Sequence, residues 1–379
     1  MGIDIICLSH LRWNFVFQRP QHIMSRFRKE QRVFFVEEPI FDAPSRYNEV
    51  SQDPETQVWV VTPHLPAGSQ GDVEAQRALM DLFISSLRIK NFVLWYYSPM
   101  YLPFTDHLKA DLVVYDCMDE LSAFKFAPPE LRQYEKLLMQ KADVVFTGGH
   151  HLYEAKKDQH ANIHPFPSSI DKAHFSQART MSEEPADQAG IPHPRIGFYG
   201  VVDERFNITL VSELATARPD WHFVIIGPVV KIDPDTLPRQ GNIHYIGQRN
   251  YKDLPAYLSG WDVAFMPFAL NESTKYISPT KTPEYLAGGR PVVSTSIRDV
   301  VVPYGEQNLV CIADTTEEFK KAIEHLVEFG RNEGWLARVD KFLAGNSWDH
   351  TCHLMSKLMT DALSKKKLVT DNKNEKAYV

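Results

Sequence analysis

The sequence predicts an α/β protein made of two doubly wound domains that face each other across a central cleft. Three observations carry this expectation. Short apolar segments of strand length alternate with helical patterns through the first half, the same alternation restarts in the second half, and a polar stretch with three prolines at 176–194 lies between them. A chain of 379 residues accommodates two domains of roughly 150–190 residues each.

In the first half, IDIICLS (3–9) opens the array, and RVFFVEE (32–38), TQVWVVT (56–62), NFVLWYY (91–97), DLVVYD (111–116) and ADVVFTG (142–148) continue it. Runs this apolar on both faces suit parallel strands buried between helix layers. Helices fit at 19–29, 73–88, 129–141 and 149–158. The second array runs RIGFYG (195–200), HFVIIGP (222–228), IHYIG (243–247), DVAFMPF (262–268), PVVST (291–295) and NLVCIA (308–313), with helices at 207–217, 253–259, 281–288 and 315–329. The expected organisation is 1–175, a linker at 176–194, 195–345, a helix at 346–363, and a charged, flexible tail at 364–379. In open α/β sheets ligands bind beyond the carboxyl ends of the strands, so functional side chains are expected on strand-to-helix loops.

A net charge of −7, with no basic stripe interleaved with aromatics, argues against nucleic acid as a partner. Four scattered cysteines form no metal-like spacing and fit a reducing compartment. The N-terminus does not read as a signal peptide and no run approaches a membrane span, so a cytoplasmic location is expected. Arg26, Arg28, Lys29 and Arg32 could touch an anionic membrane or acceptor at the inner face of the membrane, though a solvated helix face is the simpler reading.

The segment ISPTKTPEYLAGGRPVVST (277–295) is the most informative. A polar loop, Ser278-Pro279-Thr280-Lys281, enters a helix with Pro283 in its first turn, and Ser278 or Thr280 could cap it. Such a start presents backbone N–H groups to a diphosphate. Glu284, one turn in, either reaches a ribose diol or simply complements the helix dipole. In IGFYGVVDERFN (196–207), Gly200 permits close backbone approach at a strand end, but there is no GxGxxG fingerprint of dinucleotide binding. Arg205 follows at a reach suited to a diphosphate, with Lys281 opposite. Gly227 ends the next strand, and Gly247-Gln248 the one after. In the first half, His10 lies just past the first strand, Gln18 and Arg19 open the following helix, and Asp116 and Asp119 leave the strand VVYD, where a carboxylate could orient or deprotonate an acceptor hydroxyl. His150-His151, adjacent on a helix, cannot share one metal face and read as helix surface.

Several of these motifs, in this order, resemble one family. The E-Y-L-A-G-G-R-P-V-V run (284–293) resembles the donor-binding stretch of glycosyltransferase family four, whose fold is GT-B, two Rossmann-like domains around a cleft. WNFVFQRPQHI (13–23), YDCMDELSAF (115–124), IGFYGVVDER (196–205) and PFALNESTKYISPTKTPEYLAGG (267–289) are similar to a subgroup acting in cell-surface polysaccharide and teichuronic-acid-type assembly. The resemblance implies transfer of a sugar from a nucleotide-diphosphate sugar, uridine first among the bases, with retention at the anomeric carbon. The acceptor would be a hydroxyl of a glycan, a lipid-linked saccharide or a small molecule. It implies that Arg205 and Lys281 neutralise the leaving diphosphate in place of a metal, so no cofactor is expected, and that Gly247 and Gln248 lie by the base. It also implies that the final helix crosses back to the first domain, with Trp348 as an anchor. Many relatives carry a first glutamate eight residues before the helix glutamate. Here that position is Tyr276, and Glu272 or Asn271 is the expected substitute. A nucleotide-sugar epimerase or phosphorylase of the same architecture, or a non-catalytic nucleotide-sugar-binding scaffold, are the alternatives.

Overall fold

The structure, a computed structural model, describes residues 2–377. The first half forms an eight-stranded sheet from β1 (Asp4–Leu8), β2 (Val33–Val36), β3 (Tyr47–Gln52), β4 (Trp59–His64), β5 (Phe92–Tyr96), β6 (Leu112–Cys117), β7 (Val144–Thr147) and β8 (Ile163–Pro165), in the order β3-β4-β2-β1-β5-β6-β7-β8. All neighbours are parallel except β3 with β4. The second half forms a six-stranded, all-parallel sheet of β9 (Arg195–Tyr199), β10 (His222–Ile226), β11 (Ile243–Gly247), β12 (Val263–Met266), β13 (Val292–Ser294) and β14 (Cys311–Ile312), in the order β11-β10-β9-β12-β13-β14.

Alternate residues of each strand feed opposite cores, as the two-residue period of a strand requires. Ile5 and Cys7 join one cluster while Ile6 and Leu8 join the other. In the second sheet Phe223 and Ile225 face away from Val224 and Ile226. With both faces covered by apolar layers, the strands bury nearly continuous hydrophobic runs. The strand order reverses at β1/β5 in one sheet and at β9/β12 in the other. Those switch points open crevices at the carboxyl ends of the strands, where Ser9-His10 and Gly200 emerge.

Several elements differ from the sequence expectation. Strand β3 (YNEVSQ) is largely exposed and has no apolar face, so it carried no signal; it is antiparallel because it forms a hairpin with β4. The short β8 and the helix Glu333–Leu343 were also not anticipated. The stretch 176–194 is docked: Gln188 is fully buried, accepts a hydrogen bond from Trp261 Nε1 at 2.9 Å and donates to the Tyr257 carbonyl. The last helix starts at Trp348 and runs to Ala377 where an end near residue 363 and a flexible tail were expected; residues 378–379 of that tail lie outside the described residues. Trp348, Cys352, Met355, Met359 and Ala362 join the core of the first domain, spaced three or four residues apart as one helix face requires. Arg26, Arg28 and Arg32 are engaged with Asp349, the Gln57 carbonyl and Asp4 respectively. Among the described residues no helix is long and apolar enough to cross a membrane.

Candidate functional site

The C-terminal wall of the cleft begins where β9 ends. Tyr199 is buried, and its hydroxyl donates to Glu284 Oε2 at 2.9 Å, while its backbone N–H donates to Tyr285 Oη at 2.9 Å. These bonds fix the first turn of the helix Lys281–Ala287 against the strand end and set the Glu284 carboxylate at the cleft surface. Glu284 is 5% exposed. Burial raises its carboxyl to about 7, against the pull of the Lys281 ammonium and the Tyr199 hydroxyl. Burial in turn lowers Lys281, assisted by the Arg205 guanidinium and opposed by Glu284.

Two glycines make room for this arrangement. Gly227 has φ +144°, and a Cβ there would lie 1.9 Å from the Gly200 carbonyl oxygen. Gly200 has φ +148°, and a Cβ there would lie 2.1 Å from Lys281 Cε. Lys281 therefore lies across the bare backbone of the β9 turn. Arg205 is gripped by buried Asp203, with Nε 3.0 Å from Oδ1 and Nη2 2.7 Å from Oδ2, and its guanidinium stands 5.2 Å from the centre of the Phe124 ring. Such a doubly bonded guanidinium is oriented before any ligand arrives.

The N-terminal wall is less uniform. Asp119, after β6, lines the cleft and its carboxylate makes no hydrogen bond among the described residues. Burial raises it to about 6, with Arg205 the largest opposing influence. Gln18 also lines the cleft, at the start of the helix Arg19–Phe27, where its N–H donates to Gln21 Oε1 at 3.1 Å. Arg19 reaches the cleft edge, but its guanidinium is committed: Nη2 is 2.9 Å from Asp116 Oδ1, and Nη1 donates to the Phe166 carbonyl at 2.6 Å.

Both walls enclose a cleft of about 580 Å³. It collects Gln18, Arg19, Asp119, Gly200, Arg205, Gly227, Gln248, Ser278, Thr280, Lys281 and Glu284, all singled out in the sequence. Five other candidates stand outside it. Asp116 is fully buried as the partner of Arg19, so it ties helix to sheet and does not line the cleft. His10 is half-buried, and burial with the nearby Lys231 lowers its imidazole to about 4, so it is neutral; its Nδ1 has no partner. Gly247 accepts the Gly227 N–H through its carbonyl at 3.0 Å, shaping the turn from below. The Glu272 side chain is 79% exposed and lies 3.9 Å from Lys275, while Asn271 Oδ1 accepts from Ser273, and neither lines the cleft.

Some candidates in the cleft act differently from expectation. Thr280 occupies the N-cap position but has helical dihedrals and caps with no side-chain bond. Ser278 instead bridges the domains, its hydroxyl accepting the Ser168 N–H at 3.2 Å. Gln248 also crosses the cleft, donating to the Phe15 carbonyl. His151, expected as helix surface, packs its ring on Tyr276 with centroids 4.8 Å apart. Tyr199, Tyr251 and the hairpin tip Asp53–Thr56 line the cleft and were not singled out, nor was Asp203, which holds Arg205; the 13–17 loop entered only within the motif 13–23. Asp203 carries a signal in retrospect, an acid two residues before a cleft-lining arginine; the others depend on tertiary contacts.

Residues 193–328 match the family model described as Glycosyl transferases group 1. This segment is similar to group 1 glycosyltransferase domains. A similar curated protein is the "Putative teichuronic acid biosynthesis glycosyltransferase TuaH" of Bacillus subtilis (strain 168), 26% identical over 220 residues, which is 54% of this chain. The matched region spans about half of that relative, 55% of its length. Among solved structures, "Trehalose-6-phosphate from E. coli bound with UDP-2-fluoro glucose" superposes with a TM-score of 0.70 at 11% identity, covering 94% of this chain and 99% of that one. Sucrose-phosphate synthase from Thermosynechococcus elongatus gives 0.67 at 13% identity, covering 96% and 100%. A UDP-forming α,α-trehalose-phosphate synthase from Burkholderia xenovorans gives 0.69 at 11%, covering 94% and 100%. These likenesses extend over both domains and show the GT-B fold. The matched segment contains Glu284, Lys281, Arg205 and both glycines of the turn.

Proposed function

We infer that the protein is a glycosyltransferase that moves a sugar from a nucleotide-diphosphate sugar to a hydroxyl acceptor in surface polysaccharide biosynthesis. The observation that carries this is the convergence, in one interdomain cleft, of a carboxylate held by Tyr199 with two cations, Arg205 and Lys281, beside a strand end stripped of side chains. Glu284 is placed to accept from a ribose diol. In this reading Arg205 and Lys281 face the diphosphate, and their charge supplies the stabilisation that a metal gives elsewhere. The teichuronic acid role in the name of the Bacillus relative supports a polysaccharide acceptor or a lipid-linked precursor.

In the proposed step, the bond from the anomeric carbon to the β-phosphate oxygen breaks and the acceptor oxygen bonds to that carbon on the same face, giving retention. The acceptor proton passes to the departing phosphate oxygen, so the products are a glycoside and a nucleoside diphosphate. Asp119 orients the acceptor hydroxyl across the cleft. Closure of the domains excludes water, which would otherwise hydrolyse the donor. Uridine is the base proposed first.

The test is nucleoside diphosphate release from a panel of UDP-, GDP-, dTDP- and ADP-sugars with lipid-linked and free glycan acceptors, with and without EDTA. Acceptor-dependent release that survives EDTA is expected. Release without any new glycoside, or conversion of the donor sugar alone, would replace transfer by hydrolysis or epimerisation.

A further inference from the structure

Tyr276 stands eight residues before Glu284, at the boundary between the two domains. The Tyr276 ring packs against the apolar cluster of the N-terminal domain and against the His151 ring, 4.8 Å away. Its backbone neighbour is fixed too, since the Lys275 carbonyl lies 2.8 Å from His151 Nδ1. Three residues further on, the Ser278 hydroxyl accepts the Ser168 N–H at 3.2 Å. Thus the segment entering the donor loop Ser278–Lys281 is pinned to the opposite domain at successive points.

A second element of the C-terminal domain grips the same place. Asp299, 6% exposed, accepts the His150 and His151 backbone N–H groups at 2.8 and 2.9 Å, one on each carboxylate oxygen. Gly149 makes this seat possible: a Cβ there would lie 2.2 Å from Asp299 Oδ2 and 3.1 Å from Ser278 Cβ. The segment Gly149–His151 is therefore held between Asp299 on one side and the 275–278 segment on the other.

We propose that Tyr276 and Asp299, closing on Gly149–His151, form an interdomain catch that positions the donor loop, so that the donor nucleotide is held tightly only when the two domains are docked. The inference rests on the reading of Ser278–Lys281 as the donor loop. Tyr276 and Asp299 are positioning residues in it; neither lines the cleft. A glutamate at 276 would set a charge against an apolar cluster in a half-buried position and weaken the catch. Because one docked state couples both contacts to the nucleotide, breaking either has the same consequence.

The full-length protein and the variants Tyr276→Ala, Tyr276→Phe, Tyr276→Glu and Gly149→Ala would be titrated calorimetrically with UDP, GDP, dTDP and ADP, and their domain docking followed by small-angle X-ray scattering. Tyr276→Ala, Tyr276→Glu and Gly149→Ala are expected to weaken the nucleotide that wild type binds by about tenfold and to enlarge the radius of gyration. Tyr276→Phe, which keeps the ring, should match wild type. Tyr276→Ala with Gly149→Ala together should weaken binding no more than the stronger single change. Unchanged affinity in an opened Tyr276→Ala protein, equal losses in Phe and Ala, tighter binding in Tyr276→Glu, or additive losses in the double variant would overturn the catch while leaving the donor site intact. Failure of wild type to bind any of the four nucleotides would instead overturn the donor-loop reading, and the catch with it.

Discussion

At neutral pH the Glu284 carboxyl, raised to about 7 by burial, stands near half ionisation. A ribose diol needs the ionised form as a double acceptor, so nucleotide affinity should rise with pH across that value and flatten above it. Calorimetry from about pH 6 to pH 8.5 checks this; in Glu284→Gln the rise should vanish. The same shift bears on stability. A folded-state pKa above the ordinary carboxyl value means that the folded chain binds the proton more tightly than the unfolded one. That contribution is complete below the ordinary value and is lost as pH rises through about 7. Glu284→Gln should therefore gain about 1–3 kcal/mol over wild type near pH 8.5 and nothing near pH 4, by urea unfolding. Glu284, Lys281 and Arg205 were legible because their motifs lie on contiguous segments. Tyr199 and Asp203, which hold two of them, were not read, since a buried strand-end tyrosine looks like core until its partner is known. Glu272 lies outside the cleft lining, and its sequence proximity to the loop says nothing of side-chain direction.

At the scale of elements, the ends of β9 and β10 form the floor of the site, and their closeness is the constraint. Gly227→Ala would drive a Cβ into the Gly200 carbonyl in a backbone region that L side chains rarely adopt. It should cost about 2–4 kcal/mol of stability, read as a lowered denaturation midpoint with an unchanged slope. Asp203→Ala should leave the fold in place and release Arg205. Binding of UDP should then fall several-fold, while that of uridine stays as it was, because the contact proposed for that guanidinium is with the phosphates alone. The strands were readable where they are doubly buried and apolar, as in VFFV or FVLWY. Strand β3 escaped because it is polar and exposed and is held by hairpin pairing to β4, which no local pattern announces. The helix Glu333–Leu343 escaped too: only Trp335, Val339 and Leu343 of it are buried, a narrow apolar stripe.

For the whole molecule, the two domains are joined twice, through 176–194 and through the last helix, which returns to the first domain. Trp348 fastens that return: it is fully buried and stacks on His22 with ring centroids 4.6 Å apart. Trp348→Ala should cost about 3–5 kcal/mol, lowering the thermal transition of the N-terminal domain more than that of the C-terminal one. The two-domain plan was legible from the repeated rhythm of strands and helices. The contacts between the domains were not, because Asp299 with His150, Ser278 with Ser168 and Gln248 with Phe15 join residues more than 100 positions apart.

The most direct test of the central claim is calorimetric titration of the protein with UDP, GDP, dTDP and ADP, repeated on Glu284→Ala and Arg205→Ala. Micromolar binding of one nucleotide, lost or strongly weakened in both variants, is the predicted result and would name the base. Binding of none, or binding indifferent to both substitutions, would contradict a nucleotide-sugar site in this cleft.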